Sequence, residues 1–188
     1  MLIYCYGASN TYGCDPRSYI GNRYPEGQLW TGILSRRFGH EFRNAGMNGR
    51  KIPLRSIEHP AIPPETDLFV VMLGTNEMLH GMRAEEAALR LENFLRELDF
   101  PKEKILIIAP PILQKGEWVT QLGMAAQSAR LGEEFARVAE ALGTRFADGT
   151  QWDIPVTFDG VHFTAEGHAA FAEALGKFFT NGNFNCII

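Results

Sequence analysis

Three short, almost continuous apolar runs restrict the folds that this chain can adopt. They are LIYCY at 2–6, DLFVVML at 67–73 and KILIIA at 104–109. A strand whose side chains are apolar on both faces is typical of a parallel sheet that is covered on both sides. Two weaker strand candidates lie at 41–45 and 144–147.

Segments with helical spacing of apolar residues lie between these strand candidates. There are four such segments, at 27–38, 84–99, 121–142 and 165–179. In the second segment the apolar stripe consists of Leu89, Phe94, Leu95 and Leu98. Strands that alternate with helices predict an α/β fold with a parallel sheet covered on both faces. Ligands of such sheets bind beyond the carboxyl ends of the strands.

Length and composition are those of one globular domain over 1–188. The chain has 188 residues, of which 45% are hydrophobic and 21% are charged, and its formal net charge is −4. Domains commonly contain roughly 100–200 residues. Because lysine and arginine form no cluster longer than the pair at 36–37, we expect no nucleic-acid partner.

The first residues and the cysteines favour a cytoplasmic protein. Met1 is followed directly by a strand-like run, without the basic and apolar regions of a secretory signal. No apolar stretch approaches the ~20 residues of a membrane-spanning helix, so we expect no membrane insertion. The three cysteines, Cys5, Cys14 and Cys186, have no CxxC spacing and indicate neither a disulfide framework nor a zinc site.

Four loops follow strand candidates and are expected to share one edge of the sheet. They are GASNTYG after the first run, NAGMNGR at 44–50, GTNEM at 74–78 and APPIL at 109–113. In three of the four, a glycine stands beside an asparagine or a serine. These loops are therefore the place to look for a site.

Ser9 stands in the first of these loops, and an Asp–His pair lies far downstream. Asp159 and His162 are three residues apart, a spacing that brings a carboxylate beside an imidazole on a short turn. The three side chains would supply a nucleophile, a base and the acid that orients the base. Taken singly, each is more often a turn, capping or other structural residue. The other four histidines are interpreted as structural: His40, His59, His80 and His168.

Two other loops offer donors for an oxyanion hole. Gly46 could bring its backbone N–H close to a ligand, because glycine permits close approach. Asn76 follows a buried strand and could point its side-chain amide into the same space. The alternatives are a turn glycine and an Asx-turn asparagine.

Taken together, the four blocks resemble the SGNH hydrolase family, also called the GDSL esterases and lipases. The first block of that family corresponds to GASNT at 7–11, its glycine block to NAGMNGR, its GxND block to GTNE at 74–77 and its DxxH block to DGVH at 159–162. Each block is weak alone, but four in the family's order are specific. Further stretches are similar to the intracellular arylesterase and acyltransferase-like branch.

This resemblance implies a flavodoxin-like three-layer α/β/α sandwich with a five-stranded parallel sheet. It also implies a serine esterase that needs no metal or organic cofactor. Ser9 would attack the ester carbonyl, His162 would take and return its proton, and Asp159 would orient His162. The oxyanion hole would be formed by the N–H groups of Ser9 and Gly46 and the amide of Asn76.

The expected partner is a small-molecule ester, with an acetyl or aryl group as the preferred class. Side chains that could line its pocket are Met47, Met78, Trp118 and Phe163. Assembly into a homo-oligomer stays open. The tail NGNFNCII ends in apolar residues and could dock on a neighbour or on the body of the domain.

Two positions depart from the family's pattern. Ala8 stands where an acidic residue usually precedes the serine. It motivates one alternative, a catalytically silent module that binds a carbohydrate or acyl ligand. Glu77 stands where an aspartate is usual, and we expect it either to pair with Arg50 across the mouth of the site or to remain a solvated surface carboxylate.

Overall fold

A five-stranded parallel sheet forms the centre of the protein. The computed structural model describes residues 1–18 and 22–180, so the tail NGNFNCII, with Cys186, lies outside the described residues. The strands are β1 (Leu2–Gly7), β2 (Glu41–Gly46), β3 (Leu68–Met72), β4 (Ile105–Ala109) and β5 (Arg145–Asp148). They lie in the order β2-β1-β3-β4-β5, and all neighbouring strands are parallel. Each of the predicted strands is confirmed to within one residue at either end.

Six helices accompany the sheet in the described ranges. They are α1 (Ser9–Tyr12), α2 (Trp30–Phe38), α3 (Thr75–Leu79), α4 (Ala84–Glu97), α5 (Leu122–Leu142) and α6 (Ala165–Thr180). The four predicted helices are α2, α4, α5 and α6. The first of them begins later than predicted, because 26–28 form a 3-10 turn and Leu29 has extended backbone. None of these helices is both long and apolar enough to cross a membrane.

Alternate residues of the strands enter two separate cores. On one face Tyr6, Phe69 and Ile107 pack with α4 and α5. On the other face Cys5, Val70 and Ile108 pack with α2 and α6. Successive strand residues point to opposite faces, so a strand that is apolar throughout fills both cores. The result is the predicted α/β/α sandwich.

The predicted apolar stripe of α4 is wrong at one position. Leu89 is 59% exposed, whereas Leu91 is fully buried. Leu91, Phe94, Leu95 and Leu98 are spaced at i, i+3, i+4 and i+7, which is the core-facing side of a helix. Leu89 lies two residues before this series and therefore points away from the core.

The position of β1 between β2 and β3 brings three loops to the same edge of the sheet. β1 lies between β2 and β3, and Gly7 at its end is in register with Gly46 of β2 and Met72 of β3. The loops that follow these three strands therefore begin at the same level. The chain leaves β1 toward β2 but returns on the other side as β3, which creates the crevice where ligands bind in open α/β sheets.

His168 lies buried near the start of α6 and packs between two aromatic rings. The rings of Tyr24 and Phe163 each contact it edge-on at 5.4 Å between centroids. Its Nδ1 faces the Trp30 N–H at 3.5 Å. Burial and the nearby charge of Arg23 lower the pKa of His168 to about 4. The imidazole is therefore neutral at pH 7.

Acidification is expected to destabilise the protein through His168. The unfolded chain binds a proton here near 6.5 and the folded chain only near 4, so the free energy of unfolding falls as the pH drops between these values. The loss between pH 7 and pH 4.5 should be about 2–3 kcal/mol. Urea unfolding at the two pH values measures it, with His168→Asn as the non-titrating control. An equal loss in both proteins would contradict the assignment.

Candidate active site

Ser9 is the first residue of α1 and directly follows the turn at the end of β1. The turn is tight, since a Cβ atom on Gly7 would lie 2.1 Å from Thr11 Oγ1. The Ala8 carbonyl accepts the N–H groups of Thr11 and Tyr12 at 3.1 and 2.9 Å and so begins the helix. The Ser9 N–H belongs to the first turn, where a helix offers no carbonyl partner. The hydroxyl has no hydrogen bond to any residue in the described ranges, and the residue lines an open cleft.

Asp159 and His162 form a buried pair on the loop before α6. His162 Nδ1 lies 2.6 Å from Asp159 Oδ2, and the side chains are 4% and 0% exposed. Asp159 Oδ1 accepts three more hydrogen bonds, from the Thr157 hydroxyl at 2.8 Å and from the N–H groups of Val161 and His162 at 2.9 and 3.0 Å. The predicted contact across three residues is therefore present. With Nδ1 held by the carboxylate, Nε2 is the ring nitrogen left for other partners.

The contact between Asp159 and His162 shifts the pKa values of both residues. Burial alone would raise the pKa of Asp159, but its hydrogen bonds from His162, Val161 and Thr157 lower it to about 2. Burial alone would lower the pKa of His162, but its hydrogen bonds with Asp159 and Cys14, and the charge of Asp159, raise it to about 9. The carboxylate is thus ionised at pH 7 and stabilises a protonated imidazole.

A cleft of about 400 Å³ brings Ser9 and His162 to one surface. Residues from the loops beyond β1, β2 and β3 and from the segments 114–120 and 157–163 contribute to its walls. The lining consists of Ser9, Cys14, Pro16, Asn22, Asn48, Gly49, Asn76, Leu79, Trp118, Val161 and His162. Of the predicted site residues, Ser9, Asn76 and His162 therefore meet in this cleft.

Trp118 forms one wall of the cleft and contacts the histidine. Its ring is edge-on to the His162 ring, with 5.1 Å between centroids, and it is 53% exposed. The Trp118 N–H donates to the Asp159 carbonyl at 3.1 Å, and the Gln114 N–H donates to the Gly160 carbonyl at 2.9 Å. The segment 114–118 is thus hydrogen-bonded to the loop that contains Asp159 and His162.

Gly46 does not present its N–H to the cleft, which corrects the sequence prediction. It is the last residue of β2, and its N–H donates to Asn44 Oδ1 at 2.9 Å. Its lack of a side chain serves packing, because a Cβ atom would lie 2.0 Å from the Tyr12 nitrogen. Gly49 lines the cleft instead, with φ of +73° and no hydrogen bond to its N–H in the described ranges. Both glycines stand in NAGMNGR, and the length of β2 decides which one reaches the site.

Asn76 lies in the first turn of α3, beyond the end of β3. Its Nδ2 donates to the Arg50 carbonyl at 2.8 Å. A side-chain amide carries two N–H donors, so this bond orients the group and leaves one donor for a ligand. The Arg50 carbonyl belongs to the residue after Gly49, so one contact joins the loops beyond β2 and β3.

The model of the GDSL-like Lipase/Acylhydrolase family matches residues 5–170, a range that includes every residue lining the cleft. The chain belongs to this family. As a GDSL-like acylhydrolase it is a carboxylic ester hydrolase. No curated protein matches the sequence significantly.

Solved structures of esterases resemble the acylhydrolase over nearly its whole length. A carbohydrate acetylesterase family member from Sinorhizobium meliloti is 26% identical, with a TM-score of 0.74 over 94% of this chain and 96% of that one. A provisionally assigned arylesterase from Agrobacterium tumefaciens C58 is 27% identical, with a TM-score of 0.78 over 96% and 98%. The M. smegmatis aryl esterase shares the fold at 20% identity, with a TM-score of 0.80 over 95% and 98%.

Glu77 of the acylhydrolase pairs with the backbone and not with Arg50. It is fully buried, and its Oε1 accepts the Ile52 N–H at 2.8 Å. The Arg50 guanidinium donates to the carbonyls of Gly7 and Ala45 and lies 4.1 Å from the centre of the Tyr6 ring. Both expectations for Glu77, an ion pair and a solvated carboxylate, are therefore wrong. Glu77 fastens the segment after Arg50 to α3.

Of the four side chains predicted to line a pocket, Trp118 lines the cleft and the other three do not. Met78 and Phe163 are 0% and 1% exposed and belong to the two cores, so they present no surface to the cleft. Met47 is 51% exposed, but it lines a neighbouring groove of about 510 Å³ beside Tyr6 and Arg50. Periodicity does not assign faces to such short segments.

Cys14 lies at the candidate site, whereas the other four histidines do not. Cys14 lines the cleft and contacts His162, a position that only the proximity of Ser9 in sequence could have suggested. None of the four histidines interpreted as structural lines the cleft. In residues 1–18 and 22–180, no group of three acidic, histidine or cysteine side chains is placed to hold a metal ion.

Proposed function

We propose that the protein hydrolyses small acyl esters, acetyl or aryl, through an acyl-enzyme on Ser9. The observation that carries this proposal is the His162–Asp159 pair at 2.6 Å, which shares one cleft with the unbonded Ser9 hydroxyl. A hydroxyl is a weak nucleophile unless a base takes its proton, and a base needs a partner that orients it. Here His162 is the base and Asp159 is the partner that orients it.

The reaction proceeds in two halves that use the same proton acceptor. Ser9 Oγ attacks the ester carbonyl carbon while His162 Nε2 takes the hydroxyl proton. The tetrahedral intermediate collapses, the bond to the alcohol oxygen breaks, and His162 returns the proton to the leaving alcohol. Water then attacks the acyl-enzyme with the same assistance and releases the acid. In each half Asp159 holds the tautomer and stabilises the imidazolium.

The developing oxyanion would be bound by three donors from three adjacent strand ends. They are the N–H of Ser9 beyond β1, the N–H of Gly49 beyond β2 and the remaining Nδ2–H of Asn76 beyond β3. Donors held in place before the reaction stabilise the transition state without reorganisation. Gly49 takes the role that the sequence had assigned to Gly46.

Small acetyl and aryl esters are the substrate class that the cleft fits. Its volume is about 400 Å³, and its described wall includes the exposed aromatic ring of Trp118. Such a ring suits the flat face of an aryl ester or of a sugar. The carbohydrate acetylesterase and the provisionally assigned arylesterase among the similar structures support the same class.

Hydrolysis of p-nitrophenyl acetate with covalent labelling tests the proposal. We expect an initial burst of nitrophenol and a mass shift confined to the peptide with Ser9 after treatment with phenylmethylsulfonyl fluoride. The label should be absent when the cleft is occupied by excess substrate. Turnover without any label on Ser9 would exclude this nucleophile. No turnover and no label would favour the silent ligand-binding module that Ala8 motivates.

The rate is expected to rise with pH up to about 9. Only the neutral imidazole accepts the Ser9 proton, and the pKa of His162 is raised to about 9. Below that value kcat/KM should increase about tenfold per pH unit, and it should level off above it. The measurement is hydrolysis of p-nitrophenyl acetate, corrected for the hydroxide reaction. Because the contact with Cys14 raises this pKa, Cys14→Ala should move the midpoint to lower pH. A midpoint near the ordinary histidine value in the parent would contradict the expectation.

The remaining expectations about partners and location are part of the same proposal. We expect a cytoplasmic enzyme with a small-molecule ester as its substrate and no nucleic-acid partner. A homo-oligomer remains a prediction that sedimentation can test. The exposed side chains of Leu54 and Ile57, 62% and 86% exposed, are the first positions to change in that test.

A further inference from the structure

Asn10, the residue after Ser9, is bonded to the backbone on both sides of His162. Its Nδ2 donates to the Val161 carbonyl at 3.0 Å, and its Oδ1 accepts the Phe163 N–H at 3.0 Å. Both bonds are buried, and Asn10 itself is 7% exposed. One side-chain amide thus binds the residues before and after the histidine, which are 151 and 153 positions away in the sequence.

These two bonds join α1 to the backbone of the loop that carries His162, whereas Cys14, which follows α1, contacts only the His162 side chain. The bonds of Asp159 hold His162 within its own loop, but they do not reach α1. Among the described residues, the Asn10 bonds are the only hydrogen bonds between α1 and the segment 157–163. Asn10 is therefore the side chain of α1 that holds the backbone on both sides of the base.

The backbone of Asn10 is anchored at the same time. Its carbonyl accepts the indole N–H of Trp30 at 3.1 Å, and Trp30 is fully buried against Phe171. At the start of α1, Ala8 makes no side-chain capping bond. Asn10 is thus held twice, by a core aromatic through its backbone and by the histidine loop through its side chain.

We propose that Asn10 is a positioning residue that sets the distance from Ser9 to His162. The proposal rests on the proposed function, in which Ser9 and His162 exchange a proton. Asn10 is absent from the cleft lining and acts only through the backbone of the loop. A displacement of about 1 Å between reacting groups lowers a rate on the order of a hundredfold. Such a change lowers kcat and leaves substrate binding nearly as it was.

The test compares two Asn10 variants with matched changes at Asn93, an exposed asparagine of α4. Asn10→Ala removes both bonds, and Asn10→Asp keeps the volume and the acceptor for Phe163 but loses the donor to Val161. We expect kcat for p-nitrophenyl acetate to fall about a hundredfold in the first and about tenfold in the second, with KM changed less than about threefold. Asn93→Ala and Asn93→Asp should match the parent.

A second readout follows His162 directly and needs no turnover. The ring ¹H–¹⁵N signals of His162 are recorded in the Asn10 variants with and without Ser9→Ala, at temperatures where circular dichroism shows folded protein. We expect them to shift or broaden in both Asn10 variants and in neither Asn93 variant. A folded Asn10 variant with kcat within threefold of the parent, or with unchanged His162 signals, would overturn the proposal. An inactive parent whose His162 signals still respond to Asn10 would count against the proposed function and not against this placement.

Discussion

Replacing Ser9 by alanine is expected to abolish turnover while the fold is retained. Loss of a nucleophile that acts together with its base costs at least about 10⁴-fold in kcat, because water must then attack without covalent catalysis. The hydroxyl has no hydrogen bond to the described residues, so the free energy of unfolding should change by less than about 0.5 kcal/mol. Hydrolysis of p-nitrophenyl acetate and urea unfolding, measured on the same preparation, check both parts.

Ser56→Ala is the matched control for this experiment. Ser56 is exposed, lies in a short turn between β2 and β3 and does not line the cleft. It should keep the activity of the parent. A Ser9→Ala protein with more than a hundredth of the parent rate would show that another group performs the attack, and Cys14 in the same cleft would be the next to replace.

The second large effect is expected at Asp159. Asp159→Asn can donate from its amide to His162 Nδ1, which places the ring proton on Nε2 and leaves no acceptor for the Ser9 proton. We expect kcat to fall about 10³–10⁴-fold. The pKa of His162 should also fall toward its ordinary value, since its hydrogen bond with the carboxylate and the negative charge of that group both raise it.

Unfolding measurements on Asp159→Asn and a control variant distinguish a loss of catalysis from a loss of folding. Three hydrogen bonds to Asp159 Oδ1 involve the loop itself, so Asp159→Asn is also expected to lower the unfolding free energy by about 1–3 kcal/mol. Activity is therefore compared in the folded protein at low temperature. Asp153→Asn, an exposed residue six positions earlier, should change neither quantity. Asp159→Asn with activity within tenfold of the parent would contradict the assigned role.

The sequence predicted those features of the site that depend on strand ends and on local spacing. Apolar strands end at Gly7 and Met72, so the positions of Ser9 and Asn76 follow once the sheet is parallel. The contact between Asp159 and His162 follows from a spacing of three residues on a turn. Neither inference needs the packing of distant side chains.

Other features depended on details that periodicity does not contain. Whether Gly46 or Gly49 faces the cleft depends on one more strand residue in β2, and strand boundaries are the weakest part of a pattern. Met78 stands on a helix of five residues, too short for a face to show in sequence. Asn10 acts through partners more than 150 residues away, a relation that appears only after folding.

The attachment of the Trp118 segment to the Asp159 loop restricts how new specificities can arise. A Cβ atom on Gly116 would lie 2.3 Å from the Asp159 carbonyl carbon, so the two segments are in direct backbone contact. Enlarging the cleft by rebuilding 114–118 would displace the acid that orients the base. Divergence toward bulkier esters should therefore begin at lining residues outside this segment, such as Pro16 or Leu79.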